Sequence, residues 1–291
     1  MVNLQEIKKN KTIAELLEFG IINIDKSSGP TSFNVSYFLK KTLGSRKTSH
    51  FGTLDPKVTG VLPIALNRAC KLAGYFLGED KEYIGIMRIH EDKDMKEIQK
   101  VIDKKFLGEI LQTPPVKSRV KRQERPRTIY KFELLEQDRK DIVFHTECQG
   151  GTYIRKLLDD LGIEMGIGAH MLELRRVRAG LFKEETVVNL YDFEKAVEEY
   201  KNGNEKRLRE IIVPGEIVSE LHEPIQIKEK GLKEILTGKA IIYSDLEEKQ
   251  NLKKDQIISI FNKERFIGMY RVTNEEEVFA RPEFVMQEIS G

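Results

Sequence analysis

The chain has 291 residues, 40% of them hydrophobic, a length that accommodates one large and one small domain, each with its own core. Lys and Arg number 49 against 47 Asp and Glu. The resulting net charge of +2 excludes a uniformly basic nucleic-acid binder, so any such role has to rest on local clustering of charge.

Residues 3–19 place Ile13, Leu16 and Leu17 at helical spacing, a segment suited to pack on a neighbouring surface. Gly20 to Asp25 reads as a strand that stops at Ser27-Ser28-Gly29-Pro30. Thr31 then caps a helix with Val35, Phe38 and Leu39 on its buried side. Val61 to Leu66 reads as a strand, Asn67 to Leu77 as a helix, and Lys81 to His90 alternates as a strand should. Asp94 and Glu97 form a D-x-x-E start for a helix carrying Ile98, Val101 and Ile102. Strands near Thr128–Leu135 and Ile142–Cys148 are joined by the turn-like Gln137-Asp138-Arg139-Lys140, an antiparallel hairpin. Gly150-Gly151 opens an amphipathic helix from Thr152 to about Met165, and Ala169 to Arg178 is extended. Hairpin-paired strands with helices between them imply an α+β fold with a mainly antiparallel sheet, not a doubly wound one.

The charged stretch Glu198 to Glu210, with Asn202-Gly203-Asn204, is the best candidate linker. Beyond Pro214 the pattern turns to short β runs at Pro224–Lys228, Ala240–Tyr243, Gln256–Phe261, Phe266–Val272 and Phe284–Met286, with a helical turn or two at Gly231–Leu236, the pattern of a small barrel. Cys70 and Cys148 are far apart and form no C-x-x-C, which fits a reducing compartment and disfavours a structural zinc. The polar start lacks a signal peptide's apolar stretch, and no apolar run approaches the roughly 20 residues that cross a bilayer. A soluble cytoplasmic protein without a membrane partner is expected.

Chemistry concentrates in a few strings. His50-Phe51-Gly52-Thr53-Leu54-Asp55-Pro56, continuing Lys57-Val58-Thr59-Gly60-Val61-Leu62-Pro63, sets one carboxylate in a tight turn built of Gly, Thr and Pro. Between Lys117 and Lys131 lie Lys117, Arg119, Lys121, Arg122, Arg125 and Arg127, opposed only by Glu124, a run suited to grip phosphates. Taken singly, Asp55-Pro56 is an ordinary turn, Tyr83 a half-buried strand residue, Arg155 a surface helix residue and Leu174 a core leucine.

Together the strings resemble the TruB and Cbf5 (dyskerin) family of RNA pseudouridine synthases. The H-x-G-T-L-D-P-x-x-T-G-V-L-P segment matches the family's catalytic signature, in which the Asp attacks the target uridine. Lys81-Glu82-Tyr83 matches its K-x-Y motif, Gly151-Thr152-Tyr153-Ile154-Arg155 its G-T-Y-I-R motif, and Leu174-Arg175-Arg176 its L-R-R string. Asp25-Lys26 through Thr31-Ser32 matches a first motif that braces the catalytic loop. The resemblance implies roles for four residues. Asp55 is the catalytic carboxylate, Arg155 the cation that keeps it ionised, Tyr83 the ring that packs on the flipped base, and Leu174 the pocket floor. His50 either contacts the flipped nucleotide or bonds the turn backbone, and both readings stand; His170 reads as structural. Which atom Asp55 attacks is left open.

Gln112 to Ser118 with Val120-Lys121-Arg122, and Gly168-Ala169-His170-Met171 before Glu173, place the resemblance in the archaeal Cbf5 branch. That branch implies an N-terminal extension at 1–19, a catalytic domain at 20–205, and a PUA RNA-binding domain at 206–291 on which the extension packs. It also implies an enzyme needing no cofactor, with H/ACA guide RNA, rRNA and tRNA as RNA partners and Nop10, Gar1 and L7Ae as protein partners. A catalytically silent RNA-binding scaffold is the rival reading, and stand-alone modification of tRNA uridine 55 a third. Ser27, Ser49 and Phe51 depart from the family pattern, and Phe51 is expected as a ring near the pocket mouth that alters RNA access.

Overall fold

The computed structural model describes residues 2–114, 123–273 and 275–287. The predicted phosphate-gripping residues Lys117, Arg119, Lys121 and Arg122 lie outside the described residues. The chain divides into two compact units, one of residues 22–64 and 73–211, the other of residues 1–21, 65–72 and 212–291.

The larger unit is organised on a sheet of strands β1 (Gly20–Lys26), β2 (Thr48–His50), β3 (Thr59–Leu66), β4 (Lys81–Ile89), β5 (Gly108–Gln112), β6 (Arg125–Asp138), β7 (Asp141–Cys148), β8 (Ala169–Ala179) and β9 (Phe182–Lys183). The order runs β1-β3-β8-β4-β7-β6-β5, with β2 on β3 and β9 on β8. The β4/β7, β4/β8, β5/β6 and β6/β7 pairs are antiparallel, while β3 and β8 run parallel. This is the expected α+β architecture. Alternation along β4 buries Lys81, Tyr83, Gly85, Met87 and Ile89 on one face. Helices Met95–Lys105 and Ile154–Glu164 contribute buried Ile98, Ile102, Leu157, Leu158 and Leu161 to the core.

Local chemistry sets the helix starts. Thr31 caps helix Ser32–Leu43, its hydroxyl accepting from Asn34 N at 3.1 Å, and Gly44 ends it in a left-handed conformation at φ 70. Asp94 caps the next helix through Lys96 N at 2.8 Å, but Glu97 turns to Lys93 at 2.6 Å, so the D-x-x-E box is only half made. The predicted helix over Asn67–Leu77 is a 3₁₀ segment to Leu72 followed by an α-helix from Ala73.

The linker expectation is corrected. Residues 198–210 belong to two helices, Leu190–Lys201 and Lys206–Ile211, with Asn202-Gly203 as the turn between them. Their charges are internal fasteners: Arg207 reaches Asp192 at 3.0 Å and Glu199 at 3.4 Å, while Val197 and Leu208 are buried. Charge density reads as linker in one dimension, yet here it pairs across a helical hairpin. Strand β5 was also hidden in the sequence, because a short edge strand with Leu111 exposed lacks a clean alternation.

In the smaller unit, β10 (Ile212–Pro214) precedes a sheet ordered β11 (Pro224–Gln226), β13 (Ile257–Asn262), β14 (Arg265–Val272), β15 (Val278–Val285) and β12 (Ile241–Ile242). Its core gathers Ile225, Ile227, Ile235, Ile258, Ile260, Ile267, Tyr270 and Phe279. Helices Leu4–Asn10 and Ile13–Glu18 belong to the same unit. Thr12 and Glu15 form a full capping box, and Phe19 stacks on Phe266 with ring centroids 5.1 Å apart. Among the described residues no helix is long and apolar enough to cross a membrane.

Candidate active site

The loop between β2 and β3 is fastened from below by three polar side chains. Lys26, wholly buried, donates from Nζ to the carbonyls of Ser27 at 3.0 Å, Pro56 at 3.0 Å and Val58 at 2.8 Å. Ser32 Oγ accepts from Leu54 N at 2.8 Å and donates to Leu54 O at 3.1 Å. Arg176, also buried, donates from Nε to Val61 O at 2.8 Å and from Nη2 to Gly52 O at 3.0 Å. Lys26 is thus the brace the sequence implies. Burial pulls its ammonium below the ordinary lysine range, and the nearby charge of Asp55 acts in the opposite direction.

Gly60, at φ +98, has its bare Cα over β8: a Cβ there would stand 2.2 Å from Arg176 O. Only glycine allows β3 and β8 to meet at this point, where Gly60 registers with Arg176. Between these anchors Asp55 projects outward, its side chain 46% exposed.

Arg155 meets it. Its Nη2 lies 3.0 Å from Asp55 Oδ2, the pairing expected from sequence. Arg155 is the second residue of helix Ile154–Glu164, and the chain enters that helix through Gly151 at φ +86. The entry is clamped by Gln112 of β5, which accepts from Tyr153 N at 3.0 Å and donates to Tyr153 O at 3.2 Å. Gln112 is buried, and the string Gln112–Ser118 that marks the branch in the sequence gives it no role in the site.

Tyr83 sits on β4 opposite Arg176 of β8, at a register shift between Glu82 and Tyr83. Its ring is 7% exposed. Burial raises the phenol above its ordinary pKa; a hydrogen bond and the charge of Arg176 act against that, and Asp55 is close enough to add to it. Two residues on, Gly85 registers with Leu174, which is buried, and a Cβ at Gly85 would stand 2.9 Å from Leu174 Cδ1 and 2.7 Å from Phe144 Cζ. Leu174 therefore packs under the same face as Tyr83, as a core residue. His50 makes its contact within the turn, with Nε2 3.0 Å from Thr53 Oγ1. Burial, then Arg176, hold its pKa below the ordinary histidine value, favouring a neutral ring. His170 bonds His90 ring to ring at 2.8 Å.

Phe51 is not at a pocket mouth. It is 1% exposed, stacked on Phe76 at 4.7 Å and 4° and tilted against Phe182 at 6.3 Å. An aromatic ring flanked by Gly and His reads as exposed, whereas here two distant phenylalanines supply its cavity. Arg176 and Lys81 are the larger omissions of sequence reading: the L-R-R and K-x-Y strings contain them, but only the fold shows both against Gly52. A Cβ on Gly52 would stand 3.2 Å from Arg176 Nη1 and 3.6 Å from Lys81 Cε. Lys81, buried beside this second cation, has its pKa pushed down to about 8. The neighbouring Arg175 instead holds β1, bonding Asp25 at 2.9 and 3.1 Å.

The site thus offers an exposed, cation-paired carboxylate near a buried phenol, with Leu174 buried in the core under the same sheet face. Residues 40–154 match the family described as "TruB family pseudouridylate synthase (N terminal domain)", and residues 155–219 match the "tRNA pseudouridylate synthase B C-terminal domain". The chain is 46% identical over 231 residues to the probable tRNA pseudouridine synthase B of Methanopyrus kandleri, covering 79% of this chain and 68% of that one. It is 40% identical to the Archaeoglobus fulgidus protein of the same name, over 92% of this chain and 83% of that one. It superposes on the Cbf5 chain of a Cbf5–Nop10–Gar1 complex with TM-score 0.88 and 34% identity, covering 96% of this chain and 89% of the other. An archaeal box H/ACA Nop10–Cbf5 complex gives TM-score 0.86 at 33% identity, over 96% and 90% of the two chains. Motif order, fold and the Asp55–Arg155 pair converge: the chain belongs to the TruB family and is a pseudouridine synthase.

Proposed function

We propose that this chain is the catalytic subunit of an H/ACA guide ribonucleoprotein, isomerising uridines of rRNA in the cytoplasm and acting also on uridine 55 of tRNA. The observation that carries the catalytic assignment is the 3.0 Å pair of Asp55 and Arg155 beside Tyr83. The guide-directed reading is supported by likeness to Cbf5 chains solved with Nop10, with Gar1, and within an H/ACA particle bound to substrate RNA. Nop10 and Gar1 are the protein partners that follow, with L7Ae completing the particle. Residues 206–291, with the first 19 packed on them, serve as the PUA domain that takes the guide RNA.

The reaction breaks the N1–C1′ bond and forms C5–C1′; a proton leaves C5, one arrives at N1, and no electrons are exchanged. An everted uridine enters beside Asp55, with the Tyr83 ring against the base and Leu174 beneath. Asp55 attacks the nucleotide, and Arg155 keeps the carboxylate ionised and aimed once RNA has displaced water. Arg176 holds Tyr83 and the loop in one arrangement, and His50, neutral, supports Thr53 at the edge where RNA enters. Lys117, Arg119, Lys121 and Arg122 grip the phosphates.

Reconstituting the chain with its partners and mapping pseudouridine in guided rRNA fragments and in bare tRNA transcripts tests this reading. Asp55→Asn should abolish product while retaining RNA binding. Full activity of that variant would remove Asp55 from the chemistry, and product only on bare tRNA would remove the guide.

A further inference from the structure

Helix Ser32–Leu43 carries two large rings on its outer side, Phe33 at 70% exposure and Tyr37 at 55%. They are one turn apart and already aligned, with centroids 6.3 Å apart and planes within 16° of each other. The 3.6-residue period continues that stripe through Lys40 and Lys41, and neither lysine has an ion-pair partner among the described residues. The whole stretch from Lys26 to Leu54 contains no Asp or Glu, so every charge this segment carries is positive. Scattered exposed rings are common on soluble proteins, but a stacked pair on an acid-free cationic helix is a different object.

The stripe is continuous with the catalytic loop. Ser32, the residue before Phe33, is the one whose hydroxyl holds both backbone groups of Leu54, next to Asp55. Protein-binding faces are depleted of charge where they bury rings, whereas single-stranded nucleic-acid sites combine a π platform with a cationic track. We infer that this helix face binds unpaired RNA flanking the target uridine, with Phe33 and Tyr37 stacking bases and Lys40 and Lys41 meeting phosphates. The inference rests on the RNA-modifying reading above and adds a site to it.

The test measures binding of an unmodified tRNA transcript carrying uridine 55 across a series of KCl concentrations. Phe33→Ala with Tyr37→Ala should weaken binding about tenfold per ring while leaving the salt slope unchanged, because stacking releases no counterions. Phe33→Trp with Tyr37→Trp should keep wild-type affinity. Lys40→Gln with Lys41→Gln should instead flatten the slope of log K against log salt by about 1.4. Wild-type affinity in the double alanine variant would overturn the inference, as would loss of a copurifying protein with RNA binding intact. Asp55→Asn, run alongside, separates the two questions: its activity bears on the catalytic assignment and its transcript binding leaves the platform to be judged by the ring variants.

Discussion

Replacing Arg176 with Met removes a side chain that joins the loop, β8 and the phenol. Arg176→Met keeps most of the buried volume but strands the carbonyls of Val61 and Gly52, now bonded at 2.8 and 3.0 Å, and the Tyr83 hydroxyl. Each buried group left unpaired costs about 1–3 kcal/mol. Against this, the variant no longer buries a guanidinium that has no carboxylate within bonding reach among the described residues, which recovers part of the loss. A net destabilisation of about 3 kcal/mol is expected, a large share of the roughly 5–15 kcal/mol that holds a typical domain. Because the freed carbonyls bracket Asp55, a shift of about 1 Å at the carboxylate should lower single-turnover pseudouridine formation by about a hundredfold at saturating RNA. Urea unfolding followed by circular dichroism reads the first quantity, and quenched time courses with the wild-type substrate read the second. A variant within about 1 kcal/mol and threefold of wild type on both would refute the claim that Arg176 organises the site.

Arg155→Met separates catalysis from stability: the Asp55–Arg155 pair is about half exposed, so unfolding should change by less than about 1 kcal/mol while product formation falls at least about a hundredfold; equal small effects on both would leave Arg155 without a role in the chemistry. Phe51→Ala should cost about 3–5 kcal/mol through the cavity left between Phe76 and Phe182, seen as a lowered Tm, and an unaltered Tm would contradict the packing described. Lys81 makes stability rise with alkalinity. Its folded-state pKa of about 8 lies below the ordinary 10.5, so between those values the unfolded chain binds the extra proton and folding gains about 3 kcal/mol as pH climbs. Lys81→Met should lack that increment in denaturant titrations at pH 7.5 and 10; identical increments in the two proteins would place the titration elsewhere.

Local strings determined a good deal of this protein. Thr31 and Asp94 announced helix starts because capping is a contact among neighbours in sequence. Alternation over Lys81–Ile89 announced β4 because one sheet face is buried. The pairing of Asp55 with Arg155 was legible through their motifs, and Lys26 as a brace. Tertiary structure alone decided which residues fasten them. Arg176 meets Gly52 and Val61 across more than a hundred residues of chain, Gln112 clamps the entry to the Arg155 helix, and Phe51 finds its cavity between Phe76 and Phe182. The charged stretch at 198–210 became a paired helical hairpin for the same reason. Hydrogen bonds to backbone carbonyls and aromatic packing depend on where distant segments converge, and neither leaves a periodic trace in the residues that make them.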